Sequence, residues 1–528
     1  MCVKIFHAIS NTPKPTVASN VSRAKVSNSV IEHHPFRSRA SGARQKIFAS
    51  PTLGPERLDR LPYVDSTPKV SIADVSPFFN DGSVCFLLSD GQNLKKRVYL
   101  GQNNHAVSCG RKEPFVKNFD ELLKKYADFI VRVGVNPQPG QTMIIRCPLE
   151  AAPLARLCVR SGFEAGARDV QVDWSDNAVA RTRMELGSEE ALTDSKPYQL
   201  RRYLDYAESE DSVCVLHLIA DDPEVYAGLD GAKISRVNAA NRKFMAPWRE
   251  YTMNDRVQWS IAAMPSAPWA KKMFPDLEPD AAIEKLWQLI FDVCRVTGGD
   301  PVNEWKAHLD RLTSLGEKMN ALDLESVHFE SANGTDLTVG LAEKASWESA
   351  GSKNEKGVFF LPNIPTEEVF TAPHKDKVDG IVYGTKPYVF NGQLIKGFHV
   401  TFKDGKVVEH GAVEGADLLG RLLDTDEGAR HIGEVALVPA SSPINRSGAL
   451  FYSTLFDENA ACHIAFGASY PGTTEGGTGL TKEQLEERGM NQSTIHEDVM
   501  IGAEDSHITG KCRDGRVVEL FRNGVWVL

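Results

Sequence analysis

Residues 433–470 read GEVALVPASSPINRSGALFYSTLFDENAACHIAFGASY. The start, Glu434 ahead of Val435, Ala436, Leu437 and Val438, reads as a buried strand headed by a carboxylate. Such a carboxylate is costly unless it is paired or bound to a metal. Further along, His463 stands among Ala460, Ala461, Cys462, Ile464 and Ala465, and the run of small residues predicts a helix carrying a lone imidazole. That imidazole is either a satisfied core histidine or a ligand. Two other segments hold similar chemistry. Residues 365–373 read PTEEVFTAP and residues 491–502 read NQSTIHEDVMIG, which adds Glu367, Glu368, His496 and Asp498.

Working outward, the chain has 528 residues, too many for one core, so two or three domains are expected. A net charge of -10 argues against nucleic-acid or anionic-membrane partners, which attract basic surfaces. No apolar run is long enough to span a bilayer. The nine cysteines are scattered singly, without a C-x-x-C pair, which excludes zinc-finger spacing and suits a reducing compartment. Up to Pro55 there are eight Lys/Arg and one acid, Glu32. That composition is either a disordered tail or an organellar transit peptide, so the expected location is cytoplasmic, or organellar on the second reading. Residues 84–88 and 97–100 flank Ser89-Asp90-Gly91 as a hairpin.

From Phe115 helical and strand periods alternate. Phe119, Leu122, Leu123, Tyr126, Phe129 and Ile130 recur at helical spacing up to Gly134. Residues 143–145 and 170–174 read as strands around a helix at 149–159, a βαβ unit. Strands recur at 213–219 and 257–263, and helices at 280–294 and 303–322. The turn after the first strand, Arg146-Cys147-Pro148-Leu149-Glu150, has no glycine to cradle a pyrophosphate, and there is no P-loop, so a nucleotide binder is excluded. After Leu322 short strands take over, with the turn pairs Asn333-Gly334, Asp404-Gly405, Asp514-Gly515 and Asn523-Gly524. The expected fold class is α/β. A 1–113 extension precedes an open α/β domain at 114–322 and a β-rich domain at 323–528 that holds the chemistry.

In His496-Glu497-Asp498, read as a strand, His496 and Asp498 share one face and Glu497 takes the other. The same alternation separates Glu367 from Glu368. His496-Glu497 lacks the second histidine of H-E-x-x-H, and Gly467-Ala468-Ser469-Tyr470-Pro471 is not a G-x-S-x-G elbow. Two imidazoles and three carboxylates from four segments suit a two-metal hydrolytic site. The mixed nitrogen and oxygen set favours Zn²⁺, Co²⁺ or Mn²⁺ over Ca²⁺.

The strings NIPTEEVFTAP, GEVALVP, LFDENAACHIAFG and N-x-S-x-x-H-x-D-x-M-x-G, in that order, resemble the four signature blocks of the M29 metallopeptidases, a family of aminopeptidases. The resemblance covers residues 115–528. It implies a pair of divalent metal ions held by Glu368, Glu434, His463, His496 and Asp498. It implies Tyr470 and Glu434 as catalytic residues, Glu434 being a ligand as well. It also implies a homodimer and a peptide substrate with a free N-terminus, whose α-amine and scissile carbonyl would meet the metals. The family string ends H-x-D-F-M, and here Val499 takes the Phe place, a change expected to touch packing and not ligation. Two other readings compete: a metal-stabilised binding protein without turnover, which the intact ligand set disfavours, and a two-metal phosphoesterase, which lacks an Arg/Lys cluster beside the four blocks.

Overall fold

The computed structural model describes residues 116–220 and 222–528 throughout, and three strands before them. The chain divides into two units, Met1–Gly110 and Arg111–Leu528. Within the first, Val84–Leu88 pairs antiparallel with Lys96–Leu100, and that strand pairs with Ala106–Ser108. The reading of residues 1–60 falls outside the described residues.

In the second unit a four-stranded parallel sheet comes first, in the order Asp169–Ser175, Thr142–Pro148, Val213–Ile219, Gln258–Ala263. Its two central strands are almost wholly buried, as strands covered by helices on both faces must be. The helix Phe119–Phe129 turns Leu123, Tyr126 and Phe129 inward and runs into a π-helical turn, Ile130–Val135. Tyr126 Oη donates to the Ala263 carbonyl at 3.0 Å, and Phe129 stacks on Trp305 of the long helix Pro301–Ala321.

The rest is antiparallel. An eight-stranded sheet runs from Lys406–Gly411 at one edge to Val525–Trp526 at the other. The Asn-Gly and Asp-Gly pairs make its hairpins. At Asp404-Gly405 and Asn523-Gly524 both residues have positive φ, the backbone that matches the twist of a two-residue turn. A five-stranded sheet has the order Glu348–Ser349, Val369–Thr371, Ile432–Leu437, His463–Gly467, His496–Met500. One apolar core joins the parallel and antiparallel parts, with Tyr126 and Phe291 on one side and Phe402 and Phe466 on the other.

The parallel sheet also places the segment that leads to Glu368. Residues 361–364 lie along the edge strand Gln258–Ala263, where Ile261 N–H donates to Pro362 and Ile364 N–H donates to Ile261. Gly134 leaves room there for the Ile364 side chain, which an added Cβ would approach to 2.9 Å. His463 corrects the sequence reading: it is not in a helix but opens a strand. Alanines carry helix propensity, yet two β partners and full burial decide a five-residue segment. Tyr470 accordingly follows a strand and not a helix. The six cysteines among the described residues are all buried and free.

Candidate metal centre

The five-stranded sheet assembles the site by register. Glu434 lies opposite Ala465, and Ala465 lies opposite Asp498. Cross-strand partners point to the same side, as do residues two apart. His463, two before Ala465, and His496, two before Asp498, therefore share the face of Glu434 and Asp498. The partners opposite the imidazoles are Ala436 and Gly467. Together with Ala465 these small residues leave room between the longer side chains. Gly467 has a second reason to be glycine. Its φ is +103°, and a Cβ would sit 2.2 Å from the Ile495 carbonyl. Glu368 arrives from the adjoining segment, one residue before the strand Val369–Thr371.

His463 Nε2 lies 3.1 Å from Glu368 Oε2 and 3.5 Å from Glu434 Oε1. His496 Nε2 lies 3.4 Å from Glu434 Oε2 and 3.4 Å from Asp498 Oδ1. Two ligand groups result, Glu368–Glu434–His463 and Glu434–His496–Asp498, each with its ligand atoms within 4.8 Å of one another. Glu434 belongs to both and turns one oxygen to each. Both imidazoles are oriented from behind. His496 Nδ1 is 2.7 Å from the Ala468 carbonyl, and His463 Nδ1 is 3.2 Å from that of Ala461. A carbonyl only accepts, so each Nδ1 carries the hydrogen, and in the neutral ring the Nε2 lone pair faces the carboxylates.

Burial pulls both imidazoles towards neutrality, but the carboxylates outweigh it and raise them well above the usual range. For His463 these are first Glu368 and Glu434; at His496 the Tyr470 hydroxyl contributes ahead of the carboxylates Asp498 and Glu434. Burial raises Glu368, while His496 overrides burial at Asp498 and lowers it. Buried anions drawing positive charge onto two histidines form a site that a cation completes. Carboxylate and imidazole donors with free Nε2 atoms fit a divalent metal. Tyr470 stands beside them, its ring 4.6 Å from that of His496, and burial holds its phenol protonated. Two cavities, of about 590 and 600 Å³, open on the site and share Trp259, Asn363, Glu458, Tyr470, His496 and Asp498.

Glu367 faces away, as the alternation required, although the pair precedes the strand instead of lying in it. Its Oε1 accepts from Arg295 Nη2 at 2.5 Å, and its Oε2 lies 3.5 Å from His308 Nε2. Glu497 turns to the other face of its strand, where burial lifts its carboxyl to about 7 against the opposing pull of Arg242. Val499 is fully buried in the core.

The sequence reading passed over Asp457-Glu458-Asn459. Asp457 accepts the backbone N–H groups of Phe451 and Ser453, and Asn459 Oδ1 accepts the Glu367 N–H at 2.7 Å. Glu458 lies on the cavity wall. The available signal was three consecutive polar residues inside an otherwise apolar and small-residue run, ahead of a histidine.

A fold with buried imidazoles and carboxylates converging beneath an open cleft defines a metalloenzyme. The model of the thermophilic metalloprotease family M29 matches residues 119–526. Aminopeptidase 2 of Geobacillus stearothermophilus is 42% identical over 411 residues, 78% of this chain and 99% of that protein. Aminopeptidase T of Thermus aquaticus is 40% identical over 410 residues, again 78% and 99%. The solved structure of wild-type AmpT from Thermus thermophilus superposes with a TM-score of 0.71 at 38% identity, covering 78% of this chain and all of that one. The chain belongs to the M29 metalloprotease family, and is a hydrolase of the aminopeptidase type. Among the described residues no helix is long and apolar enough to cross a membrane.

Proposed function

We propose that the protein removes the N-terminal residue from peptides at a two-metal site. The supporting observation is the position of Glu434, whose two carboxylate oxygens divide between two ligand groups. Glu368, Glu434 and His463 would hold one ion, and Glu434, His496 and Asp498 the other, with Zn²⁺, Co²⁺ or Mn²⁺ suited to this donor set. When bound, the ions supply Lewis acidity towards the scissile carbonyl and lower the pKa of the attacking water.

The remaining work falls to the chain itself. The Ala461 and Ala468 carbonyls keep the imidazoles in the ligating tautomer. Glu434 spans both groups and so sets their spacing. Tyr470, protonated and beside His496, donates a hydrogen bond to the oxygen that gains charge as the carbonyl carbon becomes tetrahedral. The cavities on either side of the shared wall have room for a side chain on one side and a peptide on the other. A homodimer, and a division into a 1–113 extension, an α/β domain at 114–322 and a catalytic domain at 323–528, complete the proposal.

Release of p-nitroaniline from amino-acid p-nitroanilides tests it. Exhaustive chelation abolishes the activity and added Zn²⁺ or Co²⁺ restores it, with elemental analysis returning two ions per chain. Full activity in metal-free protein would sink the reading.

A further inference from the structure

Resting on that reading, we propose that the enzyme selects a basic N-terminal residue, arginine ahead of lysine, through Asp255 and Glu348. The cavity of about 590 Å³ that opens on the ligand groups extends to both acids. Asp255 stands just past the helix Ala246–Met253, and Glu348 lies on an edge strand of the five-stranded sheet. Register measures the separation. Glu348 lies opposite Phe370, Phe370 opposite Ala436 and Ala436 opposite His463, so one row crosses the sheet from Glu348 to His463. Cross-strand partners share a face and strands lie roughly 4.8 Å apart, so three steps put Glu348 on the ligand side, about 14 Å from the strand of His463. A leucine side chain leaves that span open. The long stems of arginine and lysine cross most of it, along the cavity's apolar lining of Trp259, Phe359 and Phe370.

Both acids are held by neutral donors. Asp255 accepts from Trp259 Nε1 at 3.4 Å and from Ser352, and Glu348 Oε1 accepts from Ser346 Oγ at 2.6 Å. Burial lifts the Asp255 carboxyl to about 6 against its two hydrogen bonds, and Glu348 adds to the rise. Among the described residues no Lys or Arg forms an ion pair with either acid. Arg256 is taken by Glu355, and Lys353, on the same cavity wall, is exposed. Thr366 points to a ligand independently. It is 1% exposed and lines the cavity, and its hydroxyl has no hydrogen-bond partner among the described residues. A buried hydroxyl left unmatched on a cavity wall is paired by what enters the cavity. Two carboxylates and that hydroxyl make three acceptors. A guanidinium meets them with five N–H donors and a permanent charge, and the lysine ammonium with three. An acidic side chain is repelled from the same wall.

The test uses the full-length, zinc-loaded chain and two p-nitroanilides that differ in side-chain charge and hardly in shape, those of L-arginine and L-citrulline, with L-leucine p-nitroanilide as reference. Wild type is expected to favour arginine over citrulline by about a hundredfold in kcat/KM. Asp255→Asn and Glu348→Gln should each lower that ratio about tenfold, since each leaves one carboxylate in place, and the double variant should bring it close to one. Taking the ratio within each variant cancels any general loss of activity. Calorimetry with the products, free L-arginine and L-citrulline, reads the same preference without turnover. A wild type that cleaves the leucine compound but does not prefer arginine to citrulline overturns this proposal and leaves the aminopeptidase reading standing. So does an unchanged ratio in both Asp255→Asn and Glu348→Gln. Cleavage of none of the three compounds by zinc-replete protein brings down the aminopeptidase reading and this proposal together.

Discussion

Glu367 and Glu368 are adjacent in the chain, both buried, and opposite in environment. Glu367 meets a cation that the fold supplies. Arg295 lies 2.5 Å away, and His308 and Arg311 continue the network behind it. Among the described residues Glu368 meets His463 and, beyond it, more carboxylates. The first cluster is complete as folded, while the second has ligand atoms converging on space that protein atoms do not fill. Buried charge by itself therefore does not mark a functional site. What marks one is an excess of buried carboxylates over the cations the fold supplies, so that full compensation comes from outside.

The sharpest way to break this contrast is to neutralise the shared carboxylate. Glu434→Gln keeps the volume and removes the charge between both groups. It is expected to lose metal by elemental analysis and to lose roughly 10³-fold or more in kcat/KM, with the far-UV circular dichroism unchanged. Normal metal content and rate would end the two-group description. Next comes a side chain beside the cluster but outside it. Tyr470→Phe is expected to bind metal and melt normally, yet lose at least about tenfold in kcat with little change in KM, since the contact forms only as charge develops. An unchanged kcat returns Tyr470 to packing against Phe370 and His496.

The satisfied cluster should fail differently. Glu367→Gln leaves Arg295 buried against a neutral partner, at a cost of about 3 kcal/mol read from the denaturant midpoint, while the purified protein keeps its metal. Loss of metal with unchanged stability would reverse the roles of the two glutamates. The smallest effect is expected at Glu497, a buried carboxyl on the far face of the His496 strand. With its pKa lifted to about 7 it is close to half protonated at neutral pH, so Gln is a near match. Metal content should be unchanged and activity within about twofold. A variant resembling Glu434→Gln would mean that both faces of the strand serve the site.

Much of the fold was legible in the sequence because it depends on local pattern. The alternation of helix and strand after Phe115 predicts the parallel sheet, and the Asn-Gly and Asp-Gly pairs predict the hairpins through their positive φ. Histidine next to alanines misled at residue 463, where helix propensity pointed one way and pairing with two strands decided the other. Asp457-Glu458-Asn459 went unread for a related reason. Whether a polar triplet is a turn or a cavity wall depends on what packs against it, here Asn363 and Glu367 from a segment about ninety residues away.

The sequence by itself determined which residue types were available. It supplied the imidazoles and carboxylates in four strings and the two-residue alternation that parts His496 and Asp498 from Glu497. Small residues at 436, 465 and 467 were also visible there, though without their purpose. The tertiary structure decided the distances. The pairing of Glu434 with Ala465 and of Ala465 with Asp498 sets four side chains on one face, and the edge of the parallel sheet delivers Glu368 to them. Periodicity is a property of one segment and repeats within a few residues. Register is a relation between segments far apart in the chain, selected by the burial of whole strands, and a slip of one residue would have turned these ligands to the opposite face.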